Sequence, residues 1–266
     1  MAELRATILG CGSSGGVPRI GGIWGNCDPE NPKNHRLRCS MLVEKIGEAG
    51  TTRVLIDTSP DMRSQLLATG IDRVDAVVYT HAHADHVHGL DDLRMIVFNT
   101  KQRMPVWADM PTQNDLYARF RYAFITPEGS NYPPICDMNT IDGDITISGE
   151  GGDITLIPLP VQHGQIGALG FRIDGLAYMP DVSDIPQSTW ELLDGLDIWV
   201  LDALRYKPHP SHVHLERSLE WIARAAPKRA VLTNMHIDLD YDTVAAQTPD
   251  NITPAFDGMQ LTIATQ

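Results

Sequence analysis

The 266-residue chain is 42% apolar and 21% charged, the balance of a soluble globular protein long enough to bury a large core. Its 34 acidic against 21 basic residues give a net charge of −13, which argues against nucleic acid as a partner, since that surface needs a basic footprint. No apolar run approaches a membrane span and MAELRATILG carries no signal-peptide pattern, so a cytoplasmic location is the expectation.

Ala6–Leu9 reads as a short buried strand running into GCGSSGGVPR, residues 10–19. The glycines there allow tight turns and close backbone approach, either in a plain turn or around a phosphate, with Ser14 as a candidate substrate contact. Residues 20–39 show no period and are rich in Gly, Pro and Asn, which predicts a long ordered loop. Its basic cluster, Lys33, His35, Arg36 and Arg38, suits a phosphate-facing rim or a solvated loop; Arg36 and Arg38 are the candidate substrate contacts. Ser40–Ile46 and Arg53–Thr58 read as paired strands, Asp61–Thr69 as a helix stopped by Gly70, and Asp75–Tyr79 as the next strand.

That strand ends in THAHADHVHGLDD, which contains His81, His83, Asp85 and His86 as H-x-H-x-D-H. In an extended strand end, residues two apart point the same way, so His81 and His83 can reach one metal ion together. Asp85 and His86 come where a helical pattern starts and can face a second ion. Imidazole nitrogen and carboxylate oxygen suit zinc, manganese or iron. A helix is expected from about His86 to Phe98, a strand at Met104–Ala108, a helix at Thr112–Phe124 and irregular chain over Thr126–Ile141.

The second half repeats the plan. Strand signals fall at Ile145–Ser148, Ile154–Val161, Gly170–Ile173 and Ala177–Pro180, with a helical stretch at Pro186–Asp194. A buried strand, Ile198–Leu204, precedes an amphipathic helix, Leu215–Ala226, stopped by Pro227. Ala230–Met235 and Met259–Ala264 are the last strands. Two β-rich halves interleaved with helices imply an α/β (α+β) fold of two sheets face to face with helices outside, one domain over residues 1–266. The four cysteines, Cys11, Cys27, Cys39 and Cys136, form no C-x-x-C pair, so free thiols are expected.

The H-x-H-x-D-H run resembles the signature of the metallo-β-lactamase superfamily. Four further positions match that family in order: Asp57 in VLIDTSPD, His163 in PVQHG, Asp181 in YMPDVS and His236 in LTNMHID. The resemblance implies the four-layer αβ/βα sandwich, with metals where the strand ends of the two sheets meet. It implies that one ion takes His81, His83 and His163, that a second takes Asp85, His86 and His236, and that Asp181 bridges them. Seven N or O donors are too many for one tetrahedral zinc and suit two divalent ions, zinc or manganese, sharing a hydroxide. The family uses the Asp at position 57 to orient the His loop.

KPHPSHVHLE holds His209, His212 and His214. Phosphodiesterases of the superfamily carry a His before a helix in an equivalent segment, acting on the scissile phosphate or its leaving oxygen; the match is His212, with His209 as second choice. Asp85, His212 and Asp57 are thus the candidate catalytic residues and His209 a candidate substrate contact. His214 is expected to be exposed and His88 structural. GCGSSGGVP, HADHVHGLDDLR and the P-S-H segment resemble the 5-phosphoribosyl 1,2-cyclic phosphate phosphodiesterase branch, which implies a small cyclic or nucleotide-like phosphodiester as substrate. That branch holds a structural zinc on closely spaced cysteines; here Cys27 stands in the matching stretch and Cys39 far behind it. The alternatives are a tRNA 3′-processing endonuclease, whose basic arm is missing from this sequence, and a non-catalytic metal-dependent nucleotide-binding module. A homodimer is compatible with the sequence.

Overall fold

Short apolar runs punctuated by Gly, Pro and Asn become strands of two sheets in the computed structural model, which describes residues 3–263. The first half contributes β1 (Glu3–Gly10), β2 (Ser40–Ile46), β3 (Thr51–Ile56), α1 (Met62–Thr69), β4 (Ala76–Val78), α2 (Ala84–Val87), α3 (Leu93–Thr100), β5 (Met104–Ala108), α4 (Met110–Phe124) and β6 (Cys136–Thr140). The second contributes β7 (Ile145–Ile147), β8 (Ile154–His163), β9 (Ile166–Ile173), β10 (Leu176–Met179), α5 (Gln187–Trp190), β11 (Ile198–Asp202), α6 (Leu215–Ala225), β12 (Arg229–Thr233), α7 (Tyr241–Gln247), β13 (Ile252–Pro254) and β14 (Gln260–Ile263). Each sheet has seven strands, ordered β14-β1-β2-β3-β4-β5-β6 and β13-β12-β11-β10-β9-β8-β7. In the first, β3 to β6 run parallel; in the second, β10 to β13 do.

Alternation along the strands sorts the core. Leu4, Ala6, Ile8, Met41, Val43, Val54 and Ile56 belong to the cluster shared with Leu156, Phe171, Tyr178 and Val200 of the second sheet. Their neighbours Leu9, Leu42 and Leu55 instead join Met62, Leu66, Leu93, Ile96 and Leu116 of the helices outside the first sheet. Helices thus flank the paired sheets, as expected of an αβ/βα sandwich.

Differences from the sequence reading have local causes. The helix expected over His86–Phe98 is broken into α2, a 3-10 turn at Leu90–Asp92 and α3. At the break, Gly89 donates its N–H to the Thr58 carbonyl at 2.9 Å, and a Cβ there would lie 2.1 Å from the Ser59 carbonyl oxygen. The stretch expected to be irregular contains β6, a largely polar edge strand paired to β5, whose CDMNT has no apolar alternation to betray it. Helix α7 and β13 had no sequence signal; α7 starts where Asp240 accepts from the Thr243 N–H. Of the expected last strand, Gln260–Ile263 is observed, while Ala264 lies outside the described residues.

The basic cluster of the long loop is structural, which corrects the phosphate-rim expectation. Arg36 is only 2% exposed. Its Nη2 donates to the Leu239 carbonyl at 2.7 Å and to Asn34 Oδ1 at 3.0 Å, and its Nη1 to the His236 carbonyl at 3.4 Å. Arg38 pairs with Asp61 at 2.8 Å, Lys33 lies 4.3 Å over the Tyr241 ring, and His35 meets Trp24 edge-on. All four cysteines are free and buried. Cys27 Sγ lies among the Ile237 and Leu239 carbonyls and Arg36, and Cys39 Sγ points to the Gly12 carbonyl, so Cys27 and Cys39 do not form one site.

Arg36→Met strips the donors from three acceptors at once. It should lower stability by about 3 kcal/mol in urea denaturation, since each buried polar group left unmatched costs about 1–3 kcal/mol. A stable variant with a raised KM would restore the substrate-contact reading.

Candidate metal centre

Strand direction gathers the site. Strands β8 and β10 are both antiparallel to β9, so β8, β10, β11 and β12 all run the same way. Their carboxyl ends deliver His163, Asp181, Asp202, Asn234 and His236 to one edge. The parallel pair β3 and β4 delivers Asp57, His81 and His83 from the other sheet, and α2 carries Asp85 and His86. The Leu169 N–H, donating to the Thr80 carbonyl at 2.9 Å, joins the two sheets there.

His81, His83, His163 and Asp181 each place one donor atom within 4.8 Å of all the others. Asp181 Oδ2 lies 3.4 Å from His163 Nε2 and 3.8 Å from His81 Nε2, while Oδ1 lies 3.2 Å from His86 Nε2. His86 Nε2 is also 3.6 Å from Asp85 Oδ2. The two oxygens of Asp181 thus face two separate groups of donors.

The far side of each ring explains which nitrogen points inward. His86 Nδ1 is 2.7 Å from Asp57 Oδ2, His163 Nδ1 is 2.6 Å from the Ser211 carbonyl, and His81 Nδ1 is 3.0 Å from Thr80 Oγ1. Thr80 Oγ1 and the Thr80 N–H both donate to Asp57 at 2.8 Å, so Oγ1 is left to accept from His81. An Nδ1–H held by an acceptor leaves the Nε2 lone pair free for a metal. Burial pushes the His81 and His163 imidazoles below their ordinary range, which keeps them neutral as ligands must be. Burial also opposes ionisation of Asp181, yet His86, His212 and His81 hold its carboxyl well below the usual value. The His81 and His86 Nε2 atoms are buried with no hydrogen-bond partner. Orphaned, inward-facing nitrogens beside an ionised carboxylate fit a divalent cation.

His236 stands apart from this group. Its Nδ1 is 2.7 Å from Asp238 Oδ1, and its Nε2 meets the guanidinium of Arg19. A lone pair takes either an N–H or a metal ion, so the ligand role expected of His236 requires Arg19 to move aside.

A cavity of about 420 Å³ opens over the cluster, and Ser14, Asp85, His209 and His212 line it with Arg19 and Arg205. His212 Nδ1 lies 2.8 Å from buried Asp202 Oδ2 and 3.2 Å from Asn234 Nδ2. Asn234 also donates to Asp181 Oδ1 at 3.2 Å, which fixes its amide orientation, so His212 Nδ1–H donates to Asp202. His88 packs on Phe120, and His214 precedes α6 beside Glu216. The sequence reading missed Arg19, Arg205, Asn234 and Asp202. Asp202 carried a usable signal, because like Asp57 and Asp181 it is a lone acid closing an apolar run.

Two seven-stranded sheets with flanking helices and a His/Asp metal-binding cluster at their joined ends define a hydrolase of the metallo-β-lactamase fold. Residues 52–237 match the family model described as Beta-lactamase superfamily domain, and the chain belongs to that superfamily. It is similar in structure to a new diphosphatase from the PhnP family, with 37% identity, a TM-score of 0.86 and 98% of each chain covered. Zinc-bound PqqB from Methylobacterium extorquens (20% identity, TM-score 0.73, 97% of this chain and 99% of that one) and the short form of human tRNase Z (16%, 0.67, 98% and 100%) share the fold. A Porphyromonas gingivalis protein named octanoyltransferase is 34% identical over 98% of this chain but only 52% of its own length. The chain therefore spans about half of that relative. Among the described residues no helix is long and apolar enough to cross a membrane.

Asp57→Asn preserves size and a backbone conformation that Asn tolerates, but removes the anionic acceptor of His86. It should weaken metal binding about 10–100-fold, read by competition with a chelator, with the fold intact by circular dichroism. Unchanged affinity would mean that Asp57 serves only the fold.

Proposed function

We propose that this chain is a dinuclear metal-dependent phosphodiesterase acting on a small cyclic or nucleotide-like phosphodiester. The observation that carries the reading is His212, backed by buried Asp202 on the wall of the cavity that faces the Asp181 cluster. The 37%-identical diphosphatase supports a phosphoric ester or anhydride as the bond attacked. Two ions are supported by the two Asp181 oxygens addressing separate imidazoles, with His81, His83 and His163 holding one and Asp85, His86 and, once freed, His236 the other. Zinc or manganese bound there supplies charge neutralisation at the phosphoryl oxygens and a lowered pKa for water.

The protein's own contribution is placement and a proton. Asp57 fixes His86, and the Ser211 carbonyl fixes His163. Because His212 Nδ1 is committed to Asp202, its Nε2 is the atom left for substrate. Burial pushes the His212 imidazole down, but Asp202, Asp181 and Asp85 outweigh it and raise its pKa to about 9. Divalent cations held by Asp181 and Asp85 would neutralise those two carboxylates, and Asp202 would remain as the partner of the His212 Nδ1–H. Burial in turn pushes Asp202 up to about 7. A protonated imidazole so placed can stabilise charge on the phosphoryl oxygens or protonate the leaving oxygen.

Other readings gain less support. An octanoyl chain needs an apolar channel, whereas this cavity is lined by serines, imidazoles, carboxylates and guanidiniums. A polynucleotide substrate conflicts with the net charge of −13.

His212→Ala should lose about 10²–10⁴-fold in kcat on a diester with a poor leaving group. The loss should be smaller on bis-p-nitrophenyl phosphate, whose p-nitrophenolate scarcely needs a proton. Elemental analysis should find two ions per chain in both proteins, and at least one fewer in Asp181→Ala. Equal losses on both substrates would overturn the proton-donor role, and a fully active wild type holding one ion would overturn the dinuclear site.

A further inference from the structure

The imidazoles of the metal centre are not all held alike. His81, His86, His163 and His236 each place Nδ1 on a partner behind the ring: Thr80, Asp57, the Ser211 carbonyl and Asp238. His83 is the exception. Its Nδ1 lies 3.1 Å from His163 Nε2, inside the cluster, and among the described residues its ring makes no hydrogen bond outside it. His83 is exposed, and as the N-cap of α2 it makes no side-chain capping bond. With no acceptor behind it, the aim of this ring is set by the backbone that carries it.

That backbone is gripped from α4. Arg119 donates from Nη1 to the carbonyl of Ala82, the residue between His81 and His83. Asp115, one turn earlier, steadies the other arm of the guanidinium at 3.4 Å from Nη2. The following residues of α4 continue along the same segment. The Phe120 ring meets His88 edge-on, with centroids 5.6 Å apart, and Tyr122 donates to Asp91 Oδ1 at 3.0 Å. The helix is kinked here: Phe120 has φ −126° and ψ 31°, outside the helical range. In a straight helix its side chain would stand about 100° round from that of Arg119. The kink therefore falls where Arg119, Phe120 and Tyr122 reach Ala82, His88 and Asp91, the segment that carries the H-x-H-x-D-H ligands.

We infer that Arg119 is a positioning residue of the metal centre, acting through the Ala82 carbonyl to hold His83 on the ion. It does from the backbone what Asp57 and the Ser211 carbonyl do from behind the rings of His86 and His163. A planar guanidinium suits the task, because one arm rests on Asp115 while the other points at the carbonyl in a fixed direction. The inference rests on the metal centre of the proposed function and deepens it, whichever bond that centre cleaves.

The test reads metal binding rather than turnover. Arg119→Met keeps the side-chain stem and removes the donors; Arg119→Lys keeps one donor; circular dichroism checks the fold of each. In competition with a chelator, Arg119→Met should hold its tightest zinc about 10-fold more weakly than wild type, and Arg119→Lys should recover part of the loss. His83→Ala decides the route. Adding Arg119→Met to His83→Ala should cost less than about 2-fold, because the ligand through which Arg119 acts is already gone. In cobalt-loaded protein, the visible absorption of Arg119→Met should move from the wild-type spectrum towards that of His83→Ala. An arginine that merely supports the fold would weaken zinc equally with and without the His83 imidazole. That result, or wild-type affinity in Arg119→Met, overturns the role of Arg119 and leaves the metal centre standing. A wild type that binds no zinc and no cobalt overturns the metal centre itself, and the inference with it.

Discussion

One buried carboxylate sets the geometry of this site. Asp57 is wholly inaccessible and accepts three hydrogen bonds, two from Thr80 and one from His86. A carboxylate taken from water without partners costs several kcal/mol, so its position is dictated by those donors. They come from the end of β4 and from α2, and Asp57 itself follows β3. A single side chain therefore locks the elements that carry His81, Asp85 and His86. The backbone reinforces it: the Thr58 N–H bonds the His86 carbonyl at 2.8 Å. Asp57 adopts a left-handed conformation, φ 63°, and so does Asn234, φ 58°, on the opposite sheet. Such residues cost of order 1 kcal/mol each and persist where the surroundings over-determine them. Asn234 holds Asp181 much as Asp57 holds His86, so each sheet contributes one strained polar residue that aims a metal-facing group.

Which parts of this were legible in the sequence follows from where the information resides. The His/Asp group is local: acids and histidines close apolar runs, and parallel strands must bring those ends to one edge. Reading Asp57, His81, His86, His163 and Asp181 as one group required only that rule and the family order. The direction of Arg36 was not local. Its guanidinium is satisfied by carbonyls 200 and 203 positions away, at His236 and Leu239, and no pattern near position 36 encodes that. Composition could show that a cluster of positive charge is unusual in an acidic chain, but not which arginine is buried. The same limit hid β6 and α7, whose order comes from pairing with β5 and from the Asp240 cap rather than from hydrophobic period.

The loop that misled the sequence reading still serves the site. Arg36 and Cys27 bind the loop to residues 236–239, and Arg36 also holds Asn34 in place. Asn34 also donates to Asp240 Oδ2 at 2.7 Å and accepts from the Tyr241 N–H at 2.8 Å. These contacts fix the backbone on both sides of Ile237 and therefore of His236. They do it with hydrogen bonds in the stretch where the cyclic-phosphate branch is expected to use a structural zinc. Rigidity next to His236 can thus come from a buried guanidinium reading several carbonyls at once, a task to which its planar fork of donors is suited and an ammonium is not.

A His/Asp metal cluster does not by itself select a phosphate ester over a thioester or a lactam, because a divalent ion polarises any of them. Discrimination has to come from the rest of the cavity, where the fold leaves the most freedom. Its walls are loops: the glycine-rich segment after β1, the Arg205–His212 turn after β11, and the His236 segment after β12. The first brings Arg19, the second Arg205, His209 and His212, and the third places the lone pair that Arg19 covers. Loops on a fixed sandwich can change charge and reach without disturbing the strands. The guanidiniums of Arg19 and Arg205 and the imidazoles of His209 and His212 stand in this wall beside Asp85 and Asp181, so most of its surface is polar or charged. The loops that carry Arg19, Arg205, His209 and His212 are therefore where this chain can differ from other members of its superfamily while keeping the same His/Asp cluster.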